Sequence, residues 1–224
     1  MAAGFGGGGG EATRKAMTEI LLYLALSYLI GAIPTSYLVG RWFRGVDLRV
    51  HGSRNLGATN VYRVLGWRFA LPVGLVDVAK GAAPVLAFGS RVEGFPHFAT
   101  LCGIAAIVGH TLSPLVGFRG GKGVATAAGA FLALAPGAVG IAALVWLLLV
   151  WVTGYVSVGS MIGALTLPVA DFVLYPPRRT IGDLGLDVAV AAFIVWKHRT
   201  NIRRLLEGTE NRFRRRSTAA APKP

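Results

Sequence analysis

The sequence is poor in charged residues, and its acidic residues are far outnumbered. Only 15% of its 224 residues are charged, with 10 acidic residues against 23 lysines and arginines, whereas ordinary soluble domains are about a quarter charged. Its single cysteine, Cys102, can form no intrachain disulfide, and no cysteine and histidine cluster has metal-ligand spacing. These shortages exclude a disulfide-stapled domain and a zinc domain, and they argue against an ordinary soluble protein.

Formal charge is absent from three long stretches, residues 20–39, 95–118 and 123–170. A helix needs about 20 mostly apolar residues to cross roughly 30 Å of hydrocarbon. The first two stretches therefore predict one crossing each. The third is too long for one crossing and must be broken, which Pro136-Gly137 and residues 153–155 can do because proline and glycine punctuate helices.

This pattern predicts an all-α protein, a polytopic transmembrane helix bundle of about seven spans. Two of the spans are short, so five or six full crossings are an alternative. We expect the spans near residues 20–40, 69–89, 97–116, 123–135, 137–153, 157–175 and 183–197.

The distribution of basic residues predicts which side of the membrane each loop faces. Seven spans place 16 lysines and arginines on one side and 5 on the other, so the positive-inside rule makes the richer side cytoplasmic. In a soluble protein the net charge of +13 would suggest a nucleic-acid partner. Here the basic loops face anionic headgroups and no nucleic-acid-binding motif is present, so we expect the lipid bilayer and no nucleic acid as a partner.

Both ends of the sequence are compositionally simple. We expect a disordered glycine-rich tail at residues 1–18, with Met17 an alternative start, and a basic disordered cytoplasmic tail at residues 212–224. The transmembrane domain would then cover residues 19–211. No cleavable signal peptide is expected.

Two glycine-rich polar segments are candidates for anion binding. Glycines let backbone N–H groups approach a phosphate, and an arginine adds a bidentate clamp. The first segment carries Gly52, Ser53, Asn55, Gly57, Thr59 and Asn60, with Arg49 and Arg54 close by. A flexible, arginine-rich cytoplasmic loop is the alternative.

The second segment is Gly117-Phe-Arg-Gly-Gly-Lys-Gly123, which leads into a predicted helix. Gly120, Gly121 and Lys122 suit a phosphoryl group at a helix N-terminus. The first glycine has the wrong spacing for a Walker loop, and Gly123 follows the lysine where serine or threonine should stand. Nucleotide hydrolysis is therefore not expected. A tight turn with a snorkelling lysine is the alternative.

A few polar residues lie in or near the predicted spans. Asp77 and Lys80 share one helix face and predict a buried pair, either structural or catalytic. His110 and His198 stand near cytoplasmic span ends, as helix-to-helix contacts or as site residues. No histidine has an aspartate five residues later, and no G-x-S-x-G nucleophile motif occurs.

Taken together, these segments resemble the bacterial acyl-phosphate:glycerol-3-phosphate acyltransferases, the PlsY-type membrane enzymes that start phospholipid synthesis. Arg54 departs from the pattern, since the family often has glycine there. The matching stretches, in the family's order, are GAIPTSYLVGR (31–41), DLRVHGSRNLGATNVYRVLG (47–66), DVAKG (77–81), GHTLSPLVGFRGGKGVAT (109–126), GYVSVGS (154–160) and KHRTNIRRLLEGTEN (197–211).

The resemblance implies transfer of a fatty acyl group from acyl phosphate to the 1-hydroxyl of sn-glycerol 3-phosphate, giving lysophosphatidate and phosphate. It implies no metal, no nucleotide and no acyl-CoA, a seven-helix fold and a site on the cytoplasmic side of the bacterial inner membrane. We expect a monomer.

The resemblance also assigns the site. Lys122 and Arg49 would hold glycerol 3-phosphate, residues 52–60 would cradle the donor phosphate, and His198 and Asn201 would orient substrate while a phosphate oxygen takes the hydroxyl proton. The implied catalytic residues are Ser36, Arg49, Lys122, Ser157, His198 and Asn201. The implied substrate-binding residues are Gly52, Ser53, Asn55, Gly57, Thr59, Asn60, His110, Gly120, Gly121 and Gly123.

Two other functions compete with this reading. A small transporter of organic phosphates would use the same basic loops, but it predicts charges near the midplane and inverted repeats. A structural anchor for lipid-synthesis enzymes would need neither Lys122 nor the glycine loop. An assay of acyl transfer from acyl phosphate to glycerol 3-phosphate distinguishes the three functions.

Overall fold

The computed structural model describes residues 8–176 and 180–213. Within these ranges the chain is helical and contains no strand, which confirms the predicted all-α membrane bundle. The helices are α1 Gly8–Ala32, α2 Thr35–Arg44, α3 Ala58–Leu65, α4 Trp67–Phe88, α5 Phe98–Thr111, α6 Val124–Leu134, α7 Pro136–Thr153, α8 Val156–Leu174, α9 Ile181–Lys197 and α10 Arg199–Leu206, with a 3₁₀ turn at Pro114–Val116.

The predicted tails differ from the structure where it describes them. Helix α1 begins at Gly8, so residues 8–18, expected in a disordered tail, are helical. This segment contains good helix formers such as Glu11 and Lys15, and the Thr18 hydroxyl donates to the Arg14 carbonyl at 2.9 Å. Of the predicted cytoplasmic tail, residues 212 and 213 are described and make ordered contacts, while the rest lies outside the described residues.

Five helical segments in the described residues are long and apolar enough to cross a membrane. Helix α6 is apolar but shorter, and α9 has 17 residues. The number of seven full spans therefore stays a prediction. Six of the predicted spans each coincide with one helix, whereas the span predicted at 20–40 is divided between α1 and α2 by the break at residues 33 and 34. The five long segments are Thr13–Arg44, Trp67–Phe88, Phe98–Val116, Pro136–Thr153 and Val156–Leu174.

A buried ion pair on α4 supports the break between α1 and α2. Pro34 interrupts the helix, which leaves carbonyls at the end of α1 without helical partners. The Lys80 ammonium donates to the Ile33 carbonyl at 2.8 Å and lies 2.8 Å from the Asp77 carboxylate. The Ser113 hydroxyl donates to the Ala32 carbonyl at 2.6 Å. The predicted Asp77–Lys80 pair thus forms and ties α4 to α1.

The bundle has two distinct ends. At one end the α4–α5 connection meets the start of α9, where His97 Nδ1 lies 2.9 Å from the Asp183 carboxylate. At the same end the Gly137 amide donates to the Tyr175 hydroxyl at 3.0 Å. The glycine-rich segments and α10 gather at the opposite end, which we call the polar end.

Helices α4 and α6 approach each other closely through glycine. A methyl group on Gly129 would lie 1.8 Å from the Val78 carbonyl oxygen, and one on Gly81 would lie 1.9 Å from the Thr126 carbonyl oxygen. Small residues let membrane helices pack backbone to backbone. This contact fixes α6, and therefore the loop that precedes it, against α4.

We predict that Gly129→Ala destabilises the protein by roughly 1–3 kcal/mol, because the new methyl group overpacks the contact with α4. Gly140→Ala is the matched control, since nothing lies within 4 Å of a methyl group there. Alanine at that position should be neutral or slightly stabilising. Thermal unfolding of the purified protein in detergent measures both. Equal midpoints for the two variants would contradict the close approach of α4 and α6.

Candidate active site

A cavity of about 910 Å³ opens at the polar end and runs inward between α4, α6, α7, α8 and α9. Its outer part is lined by polar and basic side chains, and its inner part mainly by apolar ones, with the buried Asp187 of α9 among them. The polar lining includes Ser53, Asn55, Thr59, Arg63, His110, Lys122, Ser157, His198, Asn201, Arg204 and Glu210. The apolar lining includes Ala127, Phe131, Val139, Ala142, Ala164, Leu167, Val190 and Ile194.

Lys122 lies at the junction of these two parts, on the loop before α6. Its ammonium donates to the Asn201 side-chain carbonyl, which links this loop to α10. Burial lowers the pKa of Lys122 to about 8; the Glu210 carboxylate opposes the shift, and the cations of Arg204 and Arg63 add to it. A phosphate dianion in the cavity would favour the charged ammonium.

The glycines around Lys122 have a different role from the one predicted. The Gly120 amide donates to the Thr111 carbonyl and the Gly121 amide to the His110 carbonyl, each at 3.2 Å. These two amides are therefore committed to the end of α5 and do not cradle an anion in this arrangement. Side chains are excluded at both positions, since a methyl group would lie 2.0 Å from the His110 carbonyl oxygen at Gly120 and 2.1 Å from His110 Nε2 at Gly121.

Gly123 and the start of α6 remain open to an anion. Gly123 adopts φ +82° as the residue before the helix, a left-handed conformation that favours glycine. Gly123, Val124 and Ala125 all line the cavity. A helix N-terminus presents backbone N–H groups and a positive dipole end, which suits phosphate. Because Lys122 lies directly beside this helix start, the two form one candidate anion site.

Glu210 is the acidic residue at the centre of the polar end. Its carboxylate accepts from the Ser157 hydroxyl at 2.9 Å, from the Asn201 amide at 2.6 Å and from Arg204 Nε at 2.7 Å. Burial opposes ionisation of Glu210, but these hydrogen bonds outweigh burial and hold its pKa below the usual value. Glu210 thereby connects α8 with α10 and, through Asn201, with Lys122.

His198 is buried at the junction of α9 and α10. Its Nδ1 lies 2.8 Å from the Ile194 carbonyl oxygen. A carbonyl only accepts, so Nδ1 carries the proton and the neutral ring presents an unprotonated Nε2. Burial, together with the positive charge of Lys122, lowers the pKa of His198 to about 4. His198 is therefore a neutral hydrogen-bond acceptor near pH 7.

The first glycine-rich segment forms a compact loop held by Asn60. The buried Asn60 side chain accepts from the Ser53 amide at 2.7 Å and donates to the carbonyls of Leu48 and His51 at 3.2 and 3.1 Å. Gly52 has φ +61°, and a methyl group there would lie 2.3 Å from the Asn60 side-chain oxygen. Asn60 and Gly52 therefore organise the loop.

Four predicted residues of this loop, together with Arg54, are presented to the cavity. Ser53, Asn55, Gly57 and Thr59 line it, as does Arg54. Arg54 has φ +60°, a left-handed conformation that favours glycine. Arg54 is exposed and also borders the cavity, so the extra cation lies at its mouth.

Two predicted catalytic residues do not line this cavity. Ser36 is buried at the start of α2. The Arg49 guanidinium forms a bidentate pair with Asp47, with contacts of 2.8 to 3.3 Å, and lies over the Tyr37 ring at 4.8 Å. The hydrogen bond from Arg49 lowers the pKa of Asp47 to about 2. The predicted clamp of Arg49 on phosphate thus requires the guanidinium to leave Asp47.

Among the cavity residues that were not predicted as site residues are Arg63, Arg204 and Glu210. Arg63, on α3, was counted only as a positive-inside residue, yet it lines the cavity, and burial lowers its pKa. Arg204 and Glu210 lie in the last matching stretch, KHRTNIRRLLEGTEN, but were assigned no role. Opposite charges six residues apart near the end of a short helix were the available signal for their pairing.

Comparison with known proteins places this geometry in a family. The family model for glycerol-3-phosphate acyltransferase matches residues 21–208. A glycerol-3-phosphate acyltransferase of Geobacter sulfurreducens is 44% identical over 199 residues, which cover 88% of this chain and 100% of that relative.

Two crystal structures of PlsY (YgiH), an integral membrane glycerol 3-phosphate acyltransferase, share the fold at 36% sequence identity. The glycerol 3-phosphate form has a TM-score of 0.80 and covers 87% of this chain and 96% of that one. The lysophosphatidic acid form has a TM-score of 0.76 and covers 86% and 94%. These matches confirm the family resemblance predicted from the sequence motifs. This chain belongs to the glycerol-3-phosphate acyltransferase family of integral membrane proteins.

Proposed function

We propose that this protein transfers a fatty acyl group from acyl phosphate to the 1-hydroxyl of sn-glycerol 3-phosphate. The products are 1-acyl-glycerol 3-phosphate and inorganic phosphate. The observation that carries the proposal is a cavity in which a cationic outer part continues directly into a mainly apolar inner part. A substrate pair with two phosphates and one long hydrocarbon chain matches both parts.

Charge supports acyl phosphate as the donor. Six lysines and arginines line the cavity against three acidic residues, namely Arg54, Arg63, Lys122, Lys197, Arg199 and Arg204 against Asp77, Asp187 and Glu210. Two phosphate groups would balance this excess of positive charge. Acyl phosphate is also a mixed anhydride, so its phosphate is a good leaving group and the protein needs mainly to position the reactants.

The transfer is a single displacement at the acyl carbon. The C1 hydroxyl oxygen of glycerol 3-phosphate forms the new ester bond to the acyl carbonyl carbon. The bond between that carbon and the bridging phosphate oxygen breaks, and its electron pair leaves with the phosphate. The hydroxyl proton passes to a phosphate oxygen, so the products are the ester and hydrogen phosphate. Fixed cations near the departing phosphate stabilise the charge that develops on it.

Each polar residue then has a defined task. Lys122 and the start of α6 bind the phosphate of glycerol 3-phosphate, and Asn201 holds Lys122 in place. His198, with its unprotonated Nε2, accepts a hydrogen bond from a substrate hydroxyl and orients it. The loop of residues 52–60 faces the donor phosphate through Ser53 and Asn55. The Arg49 guanidinium joins the glycerol 3-phosphate site when it leaves the Asp47 carboxylate and binds the substrate phosphate instead.

The apolar part of the cavity receives the acyl chain. Its walls come from α6, α7, α8 and α9, which contribute mainly alanine, valine and leucine. Ala164 and Leu167 lie seven and ten residues beyond Ser157 on α8, roughly 10 and 15 Å deeper at 1.5 Å per residue. The chamber is therefore deep enough for a medium to long hydrocarbon chain.

The reaction belongs at the start of phospholipid synthesis in the bacterial inner membrane. We place the polar end on the cytoplasmic side because the basic loops gather there, as the positive-inside rule requires. Both substrates carry charged phosphates and would reach the site from the cytosol or from the adjoining leaflet. The proposed form is a multi-pass monomer with no metal, nucleotide or acyl-CoA.

We predict that Lys122→Ala lowers kcat/KM for acyl transfer by about 10²- to 10³-fold, the usual cost of losing one charge-stabilising group. Phosphate release by purified protein with palmitoyl phosphate and glycerol 3-phosphate measures it. Arg119→Ala, an exposed cation of the same loop, is the control and should stay within twofold of the wild type. Normal turnover in Lys122→Ala would remove Lys122 from the site. An inactive wild type would overturn the proposed function, leaving the transporter and anchor alternatives.

We predict that kcat/KM falls as pH rises above about 8, because Lys122 has a pKa of about 8 in the free enzyme and must be an ammonium to bind phosphate. Below that value the group is charged, so this alkaline limb has the opposite sign from that of a general base. In Lys122→Arg this fall in kcat/KM should move to higher pH, since a guanidinium stays protonated. An alkaline limb that is unchanged in Lys122→Arg would assign the ionisation to another group.

We predict that Ala164→Phe shortens the acyl chamber. The variant should lose at least about tenfold in kcat/KM for palmitoyl phosphate, or about 1.4 kcal/mol, and keep its activity toward octanoyl phosphate. The matched control is Leu165→Phe, because Leu165 is exposed on the outer face of α8. Equal chain-length preference in the two variants would place the acyl chain elsewhere.

A further inference from the structure

The chain crosses the mouth of the cavity again after its last helix. Helix α10 ends at Leu206, Gly208 turns the chain with φ +68°, and the Thr209 amide donates to the Arg204 carbonyl at 2.8 Å. Residues 209–213 then run across the polar end without regular secondary structure. We call these residues the C-terminal strap. It lies beyond the segment matched by the family model, which ends at residue 208.

The strap is fastened to the turn between α7 and α8. The Phe213 amide donates to the Gly154 carbonyl at 2.6 Å. Arg212 Nε donates to the Tyr155 hydroxyl at 2.9 Å, and its guanidinium lies 5.0 Å from the centre of the Tyr155 ring. The turn therefore holds the strap by a backbone hydrogen bond and by one side chain.

The strap is fastened to α3 as well. The Phe213 ring stacks on the Tyr62 ring with a centroid distance of 4.9 Å and an angle of 22°. Tyr62 directly precedes Arg63, which lines the cavity. Phe213 thus joins α3, on one side of the mouth, to the start of α8, on the other.

Glu210 belongs to the C-terminal strap, and its side chain points into the cavity. It is 8% exposed, whereas Arg212 and Phe213 are exposed. Its hydrogen bonds to Ser157 and Asn201 depend on where the strap places its backbone. Only two residues separate Glu210 from Phe213, so the attachment at Phe213 restricts the position of the carboxylate.

We propose that Arg212 and Phe213 are positioning residues for acyl transfer: they hold the strap across the mouth so that Glu210 keeps Asn201 and Lys122 in the arrangement that binds glycerol 3-phosphate. This inference rests on the proposed function. It adds a role for two exposed side chains that touch neither the substrate nor Lys122.

The contacts that fasten the strap are individually weak. An aromatic pair adds little to stability beyond the area that it buries, and an exposed cation–π contact is also weak. The helices of the bundle pack against one another without these strap contacts. Removing Arg212 or Phe213 should therefore change the local position of Glu210 without lowering the unfolding midpoint of the bundle.

Which substrate's KM changes distinguishes a positioning role from a general loss of structure. Asn201, which Glu210 holds, is the partner of Lys122 at the glycerol 3-phosphate site. The acyl chamber is lined by α6, α7, α8 and α9 and makes no use of the strap. The KM for glycerol 3-phosphate should therefore rise, while the KM for acyl phosphate and the chain-length preference stay as they are.

The experiment compares full-length Arg212→Ala and Phe213→Ala with the wild type, using palmitoyl phosphate and glycerol 3-phosphate. We expect the KM for glycerol 3-phosphate to rise at least fivefold in each, the KM for palmitoyl phosphate to stay within twofold, and thermal unfolding to be unchanged. Phe213→Tyr, which keeps the stacked ring, should restore the wild-type KM. Arg203→Ala and Leu206→Ala alter an exposed cation and an exposed apolar side chain of α10 and serve as matched controls.

A double-mutant cycle of Tyr62→Ala and Phe213→Ala tests the contact itself. The two changes should be non-additive in the KM for glycerol 3-phosphate, because either one alone releases the stack. Wild-type kinetics in Arg212→Ala and Phe213→Ala would overturn the proposal. So would an equal loss with both substrates together with a lower unfolding midpoint, since that marks a structural role. The active wild type in the same assay keeps this result separate from a failure of the proposed function.

Discussion

Hydrocarbon tolerates no unpaired polar groups, and this constraint orders the whole molecule. Most of α4 to α9 has to be apolar, so the polar residues of the site gather at one end of the bundle, on loops and helix ends. The exceptions pair inside the protein, as Lys80 does with Asp77 and with the Ile33 carbonyl at the break before Pro34. A polar end above an apolar chamber is the direct result, and the same division exists within an acyl phosphate molecule.

At the polar end, Glu210 offsets the mutual repulsion of the cations. Lys122, Arg63 and Arg204 are close enough to affect one another's charge, and burial further disfavours the ammonium of Lys122. Glu210 binds Arg204 directly and Lys122 through Asn201. One carboxylate cannot neutralise all of these cations. The remaining positive potential is available to a phosphate, and a neutral His198 adds no further positive charge.

The sequence predicted local features well and long-range pairing poorly. Helix breaks at Pro136 and Gly154 follow from backbone chemistry and were predicted, whereas the break at Pro34, which divides the span predicted at 20–40, was not. The roles of Gly120 and Gly121 were harder to predict, because a glycine that presents its amide to an anion and one that lets another backbone approach look alike in sequence. The bonds of Glu210 to Ser157 and of Lys122 to Asn201 join residues 53 and 79 positions apart. No periodicity indicates such pairs.

The arrangement of the two predicted catalytic serines favours direct transfer over a covalent acyl-enzyme. A serine nucleophile needs a base that accepts its proton and an open path to the acyl carbon. Ser36 is buried and does not line the cavity. Ser157 lines it, but its hydroxyl donates to Glu210, whose lowered pKa makes it a poor base. His198 donates its Nδ1 proton to a backbone carbonyl rather than to a carboxylate that would raise its basicity. In the transfer that we propose, the donor is already activated, and the hydroxyl of glycerol 3-phosphate can then itself be the nucleophile.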